Sequence, residues 1–340
     1  MKKTALRSPK PAAPVITGVR VSDLAFYGKN WLLDGEVRQH SAQVLSTRRL
    51  ILSKLEWFLQ LRNHEVCGQT ELREFLAYLG RGHAEPGGRW GNPHLTRPVR
   101  PRTVKDYHGH LRTFFRWLIK QKMISESPIE GIASPISRAD QIQPFTVPQV
   151  EALLAAARRS RHAQRDEAML LFLLDTGVRA SEIAGIRRKD IQVNDGRCTV
   201  LGKGNKHRTV HFGRTTAKAL FFYLRDQVKD ARDQVKDAEA PVFRGGINED
   251  VDVPLTRWGV RQIVERAGKA AHIEVTRCSP HTFRHTMAVT FLRNGGQVFA
   301  LKEILGHTDL KMTNRYVALA QADIAEQHRQ FSPVDNLKSR

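Results

Sequence analysis

Four polar side chains between Ser279 and Leu319 are of the types that handle a phosphate: His281, Arg284, His307 and Tyr316. His281 and Arg284 are three apart, so a helix through SPHTFRH sets them on one face. Leu301, Ile304 and Leu305 repeat at helical spacing, and Gly306 can close that helix in the left-handed conformation. His307 then stands on the turn just past the helix end. Thr308 or Thr313 can cap the next helical turn, which carries Tyr316 outward. A cationic pair, a turn-borne histidine and a nearby phenol suggest a phosphate site with a nucleophile beside it. Taken singly, His281 could be a core histidine and Tyr316 a surface phenol. His285, adjacent to Arg284, points elsewhere on the helix and reads as structural.

Two upstream stretches offer further cations. In LFLLDTGVRASEIAGI a buried apolar helix runs into Thr176-Gly177, a turn, and a second helix begins near Ala180. Arg179 therefore sits at a helix start, where its guanidinium and the electropositive helix end can act on one anion. Glu182, one turn on, could orient it; alone, such an arginine is more often a structural ion pair. In CTVLGKGNKHRTVHF two β-rich runs flank a tip that carries Lys203, the pattern of a hairpin. Its Gly-Lys-Gly lacks the glycine spacing, the following Ser/Thr and the helix of a nucleotide phosphate loop. A lysine on a mobile hairpin can serve as a general acid; an exposed turn lysine is the plain alternative.

The elements that position these groups belong to a chain of 340 residues, long enough for two domains with real cores. Lysine and arginine number 55 against 34 acidic residues, a formal charge of +21 spread along the chain. A polyanion is the expected partner, and nucleic acid fits it better than a membrane surface. No apolar run has the length of a membrane span, and the basic N-terminus lacks a signal peptide's apolar core, so a cytoplasmic location is expected. Three scattered cysteines, Cys67, Cys198 and Cys278, signal neither a disulfide framework nor a zinc site.

Taken in order, residues 1–20 read as a flexible basic tail, which either reaches along DNA or does nothing. A helical domain follows over 21–126. Within it GRGHAEPGGRWGNPHLTRPVRP, residues 80–101, has no period and is long for a loop, so it is either functional or flexible. Its Arg81, Arg89, Arg97 and Arg100 could meet phosphates or simply be solvated. Thr103 caps the next helix, whose face of Tyr107, Leu111, Phe114, Phe115, Leu118 and Ile119 is expected in the core. Lys105, Arg112, Arg116 and Lys120 lie largely off that face and are candidates for tracking a phosphate backbone. Residues 127–145 carry three prolines and read as the interdomain linker. Thr146 and Gln149 form a capping box that opens the second domain, 146–340. The heptad RDQVKDA, Arg225 to Ala231, is repeated at once to Ala238; two helical turns are duplicated without changing the face, which reads as a lengthened exposed helix.

The order TGVRASE, GKGNKHR, HTFRH, LGH and TNRY resembles the tyrosine recombinase, or phage integrase, family. Arg179 and Lys203 are 24 residues apart and His307 and Tyr316 nine, as in that pattern. The resemblance covers about residues 145–330, and Phe283 stands where leucine is commoner. It implies a mainly α fold with a small β-sheet or hairpin in the catalytic domain, preceded by a helical, SAM-like core-binding domain. It carries over Arg179, Lys203, His281, Arg284, His307 and Tyr316 as catalytic residues. It further implies a 3′-phosphotyrosyl intermediate, no metal or other cofactor, a C-shaped clamp on double-stranded DNA, a homotetramer on paired sites and possible accessory proteins. The outcome would be integration, excision, transposition or dimer resolution. A type IB topoisomerase-like enzyme and a DNA-binding module without catalysis are the competing readings.

Overall fold

Apolar residues recur every three to four positions through most of the chain, and most of it is helical. The computed structural model describes residues 18–83, 87–137, 143–202, 205–225, 238–245, 253–320, 328–329 and 332–338. Most of the basic tail, Lys203, residues 226–237 of the duplicated heptads, and Ile324 and Phe331 of the C-terminal stretch lie outside them. The chain divides into two units, 1–140 and 141–340.

In the first unit a short strand β1 (Val19–Arg20) leads into α1 (Val21–Val37) and α2 (Ala42–Leu61). The strand β2 (Val66–Cys67) pairs antiparallel with β1 and precedes α3 (Gln69–Gly80) and α4 (Pro101–Lys120). Trp31, Leu55, Phe58, Leu72, Phe75, Leu111, Phe114 and Phe115 fill the space between the helices. Helix α4 starts three residues earlier than its threonine suggested. Pro101, whose missing N–H costs nothing in a first turn, follows Arg100 at the cap, and Thr103 lies inside. The aperiodic stretch before it is held down where described. Trp90 packs against Trp57, Tyr78 and Phe75, and its backbone N–H donates to the Tyr78 hydroxyl. Its periodicity is missing because tight turns, not a helix, present the ring to the core.

The second unit opens with α5 (Val147–Arg158), capped by the Thr146–Gln149 box, then α6 (Ala163–Thr176) and the short α7 (Ala180–Ala184). Strands β3 (Ile191–Gln192), β4 (Arg197–Leu201) and β5 (His207–His211) form one antiparallel sheet, with Leu201 opposite His207 at the hairpin's tip end. Then come α8 (Arg214–Arg225), α9 (Arg257–Ala270), α10 (Pro280–Arg293), α11 (Val298–Leu305) and α12 (Leu310–Ala320). Helix α10 is buried on nearly every side. Phe283 faces the main core, while Met287, Val289 and Leu292 join Leu301, Leu305 and Tyr316 in a second one. A helix buried round most of its circumference lies in the middle of its domain. The polar residues buried on it, Thr282, Arg284 and Thr286, therefore meet neighbouring elements or the helix's own backbone. Among the described residues no helix is long and apolar enough to cross a membrane.

Candidate active site

The chain leaves α6 through Gly177, at φ +61°, and turns so that Arg179 becomes the N-cap of α7. Glu182, almost wholly buried, folds back on it: the Arg179 backbone N–H donates to Oε2 at 2.8 Å and Nη1 to Oε1 at 2.7 Å. The same carboxylate receives both ends of the Arg208 fork from β5, at 2.9 and 2.8 Å. Burial works to raise the Glu182 carboxyl, but the hydrogen bonds and charges of Arg208 and Arg179 outweigh it and hold it at about 2. Arg208 also donates through Nε to the Ile304 carbonyl of α11, at 2.9 Å. One carboxylate thus ties together the α7 start, strand β5 and the end of α11.

Arg284 is held by two helix ends. Its Nη1 donates to the Gly177 carbonyl and its Nη2 to the Leu305 carbonyl, both at 2.7 Å. Each of these helices ends in a left-handed glycine, Gly177 and Gly306, the latter at φ +63°. A side chain there would be strained in conformation, and a Cβ on Gly177 would press on Leu305 and Met287. The unpaired carbonyls and negative dipole ends of α6 and α11 therefore converge on one guanidinium. Burial, then the charge of Arg179, push Arg284 down to about 10, so it stays cationic at neutral pH.

Past Gly306, His307 is buried with Nδ1 2.9 Å from the Thr313 hydroxyl, which leaves Nε2 for the site. Thr313 is thus a partner inside α12 rather than its cap. Asp309 supplies the cap by accepting from the Lys311 N–H, at 2.9 Å. Tyr316 points inward, not outward: it is 4% exposed, and its ring lies parallel to that of His307. The reason is the second core, which takes up α12 through Thr313, Tyr316 and Ala320. The Tyr316 hydroxyl lies 2.9 Å from His285 Nδ1. His285 therefore does not point away from the site, because on a central helix the adjacent face meets α12. It is the one residue of HTFRH whose part the pattern hid; the four-residue spacing from His281 was the available signal.

The five described candidates share one electrostatic environment. Burial lowers His281, whose ring is reachable from solvent but loses much of its water to the surrounding protein; Arg284, Arg179 and Arg277 lower it further. Burial, then Arg284, Arg179 and Arg208, bring His307 down to about 4. Burial raises Tyr316 above its ordinary 10, against the pull of Arg284, Arg315 and Arg179. Cations this close, with histidines kept neutral around them, make a receptor for a tetrahedral anion. Arg208 belongs to the same receptor through its fork on Glu182, although no sequence pattern marks it as a site residue.

The candidate DNA contacts of the first unit divide. Arg81, Arg97, Arg100, Lys105 and Lys120 are exposed. Arg112 and Arg116 are exposed and share Glu130, at 2.9 and 3.0 Å. Arg89 is buried and donates to the Arg97 carbonyl at 2.7 Å, so it braces the loop and offers nothing to a phosphate.

Residues 144–323 match the Phage integrase family. The chain belongs to the phage integrase family, the tyrosine recombinases. The tyrosine recombinase XerD of Shewanella oneidensis is 30% identical over 303 residues, 86% of this chain and 91% of that one. XerD of Listeria monocytogenes is 30% identical over 234 residues, 68% of this recombinase and 77% of its own length. The fold has solved counterparts. The integrase of transposon Tn1549 with a circular intermediate DNA gives a TM-score of 0.67 at 19% identity, covering 92% of this recombinase and 99% of that chain. A lambda integrase dimer bound to a COC′ core site gives 0.65 at 15%, covering 85% and 96%. This recombinase is accordingly an enzyme that breaks and rejoins DNA strands.

Proposed function

We propose that the protein is a site-specific recombinase in which Tyr316 attacks a DNA phosphodiester and forms a 3′-phosphotyrosyl link. Arg179 and Arg284 grip the non-bridging oxygens, where charge grows in the five-coordinate transition state. His307 and His281 add hydrogen bonds to the same phosphate. Lys203 protonates the leaving 5′-oxygen. A second strand's hydroxyl reverses the step, and the energy of the broken bond is kept in the link, so no ATP is consumed. The first unit holds the duplex through its exposed arginines and lysines, and four protomers bring two duplexes together in the cytoplasm, with accessory proteins where the site demands them.

The observation that carries this reading is the placement of the buried Tyr316 phenol within the field of Arg284 and Arg179. A surface phenol has no such company. The printed names of the relatives, XerD recombinases and integrases bound to DNA, support the substrate class. The test is covalent trapping. Nicked suicide duplexes drawn from the DNA on either side of the protein's own gene are incubated with the native protein and with Tyr316→Phe. A denaturant-resistant protein–DNA band is expected from the native protein alone. A band from both forms, or from neither despite tight binding, would overturn the assignment.

A further inference from the structure

The attacking phenol must lose its hydrogen, and on the reading of Tyr316 as nucleophile the surroundings of its hydroxyl say where that proton goes. Arg284 and Arg179 are donors with no acceptor atom. His307 has its Nδ1 engaged by Thr313 and lays its ring parallel to the phenol. His285 is different: its Nδ1 lies 2.9 Å from the Tyr316 oxygen, with the two rings tilted at 48°. With the ring hydrogen on Nε2, the Nδ1 lone pair meets the phenolic hydrogen.

We propose that His285 is a catalytic residue, whose Nδ1 accepts the Tyr316 proton as the phenolic oxygen attacks phosphorus. The O–P bond to tyrosine forms, the P–O5′ bond breaks, and the 5′-oxygen takes its proton from the acid, Lys203 on the present reading. His285 keeps the tyrosine's proton while the covalent link lasts. In rejoining, a 5′-hydroxyl attacks phosphorus and gives its proton back to the neutral acid, the bond to tyrosine breaks, and His285 returns its proton to the phenolic oxygen. The atoms balance without any co-reactant.

The groups that face His285 are His281 and Arg284 on α10 and Arg315 and Tyr316 on α12. Burial, then His281, Arg315 and Arg284, hold the ring down to about 4, so it waits in the neutral, accepting form. A bound phosphodiester brings negative charge into this cation-crowded site and raises the ring's proton affinity as the reaction starts.

The test uses the full chain and nicked suicide duplexes of two kinds. One carries the natural phosphodiester; the other carries a 5′-bridging phosphorothiolate, whose sulfur leaves without a proton. Covalent-complex rates are followed from pH 6 to 9 for the native protein, His285→Asn, His285→Phe, Lys203→Ala and Tyr316→Phe, with DNA binding as the check on folding. The native rate is expected to be nearly flat to about pH 8.5. His285→Phe and His285→Asn are expected to fall roughly 10²–10⁴-fold at pH 7 on both substrates. Their rates should then rise about tenfold per pH unit, as ionised tyrosine takes over. Lys203→Ala should recover on the phosphorothiolate. His285→Asn keeps a polar atom near the Nδ1 position, so a native rate from it would reduce His285 to a holding role and overturn the proposal. So would a flat, merely lowered profile, or recovery of the His285 variants on the phosphorothiolate. If Phe does not fold, Asn carries the test. A covalent complex from Tyr316→Phe would remove the nucleophile itself, and with it this proposal.

Discussion

Replacing Glu182 by Gln leaves the shape of the α7 turn intact and takes away its charge. Two lines of reasoning give the cost. The gap between an ordinary carboxyl at 4.5 and Glu182 at about 2 corresponds to about 3 kcal/mol, at about 1.36 kcal/mol per tenfold step. Removing one partner of a buried pair costs roughly 3–5 kcal/mol, because Arg208 and Arg179 are left without their counter-charge. The two agree on about 3 kcal/mol at pH 7. The sign of the pH dependence follows from the lowered value. The stabilisation is complete well above pH 4.5 and disappears as pH falls toward 2, with about 1.5 kcal/mol left at pH 3. Urea unfolding followed by hydrogen exchange in peptides from α7 and β5 reads this unit separately from the first. The native-minus-variant difference should shrink by more than half between pH 6 and pH 3. A difference under about 1 kcal/mol at pH 6, or one that does not change with pH, would refute the account of Glu182 as the ionised tie between Arg179, Arg208 and α11.

Gly306→Ala puts a side chain at φ +63° and a Cβ 3.1 Å from Arg208 Cδ, so it should cost about 1–2 kcal/mol by thermal unfolding, with Gly306→Asn milder. Arg97→Ala should reduce the salt slope of DNA binding by about one, whereas Arg89→Leu should lower the stability of the first unit and leave that slope unchanged. Burial raises all three thiols, Cys198 to about 12, so iodoacetamide at pH 8 should label the native protein slowly. Cys278, the least buried, should react first, and rapid labelling of Cys67 before unfolding would contradict its burial.

Helical periodicity, the Thr146–Gln149 box and the glycine after Leu305 were legible because they are local: each depends on residues within a turn or two. The same holds for the β4–β5 hairpin and for Arg179 at a helix start. The family motifs carried the candidate residues further, since their order is a one-dimensional trace of one site. Direction was not legible. Whether Tyr316 faces out or in depends on the second core, whose members lie on three separate helices. Periodicity reports that a helix has an apolar face, not which neighbour covers the rest.

What the sequence determined alone was the set of chemical groups, the helices and hairpin that carry them, and a charge suited to a polyanion. What the tertiary structure decided was which groups meet. Arg284 was visible as a cation, but the two helix ends that grip it lie 107 and 21 residues away along the chain. Arg208 became part of the site only because β5, α7 and α11 converge on Glu182. His285 passed for structural because one step along a helix turns a side chain by about 100°. Only a helix buried on nearly every side gives that second direction a partner, and here the partner is the hydroxyl of Tyr316.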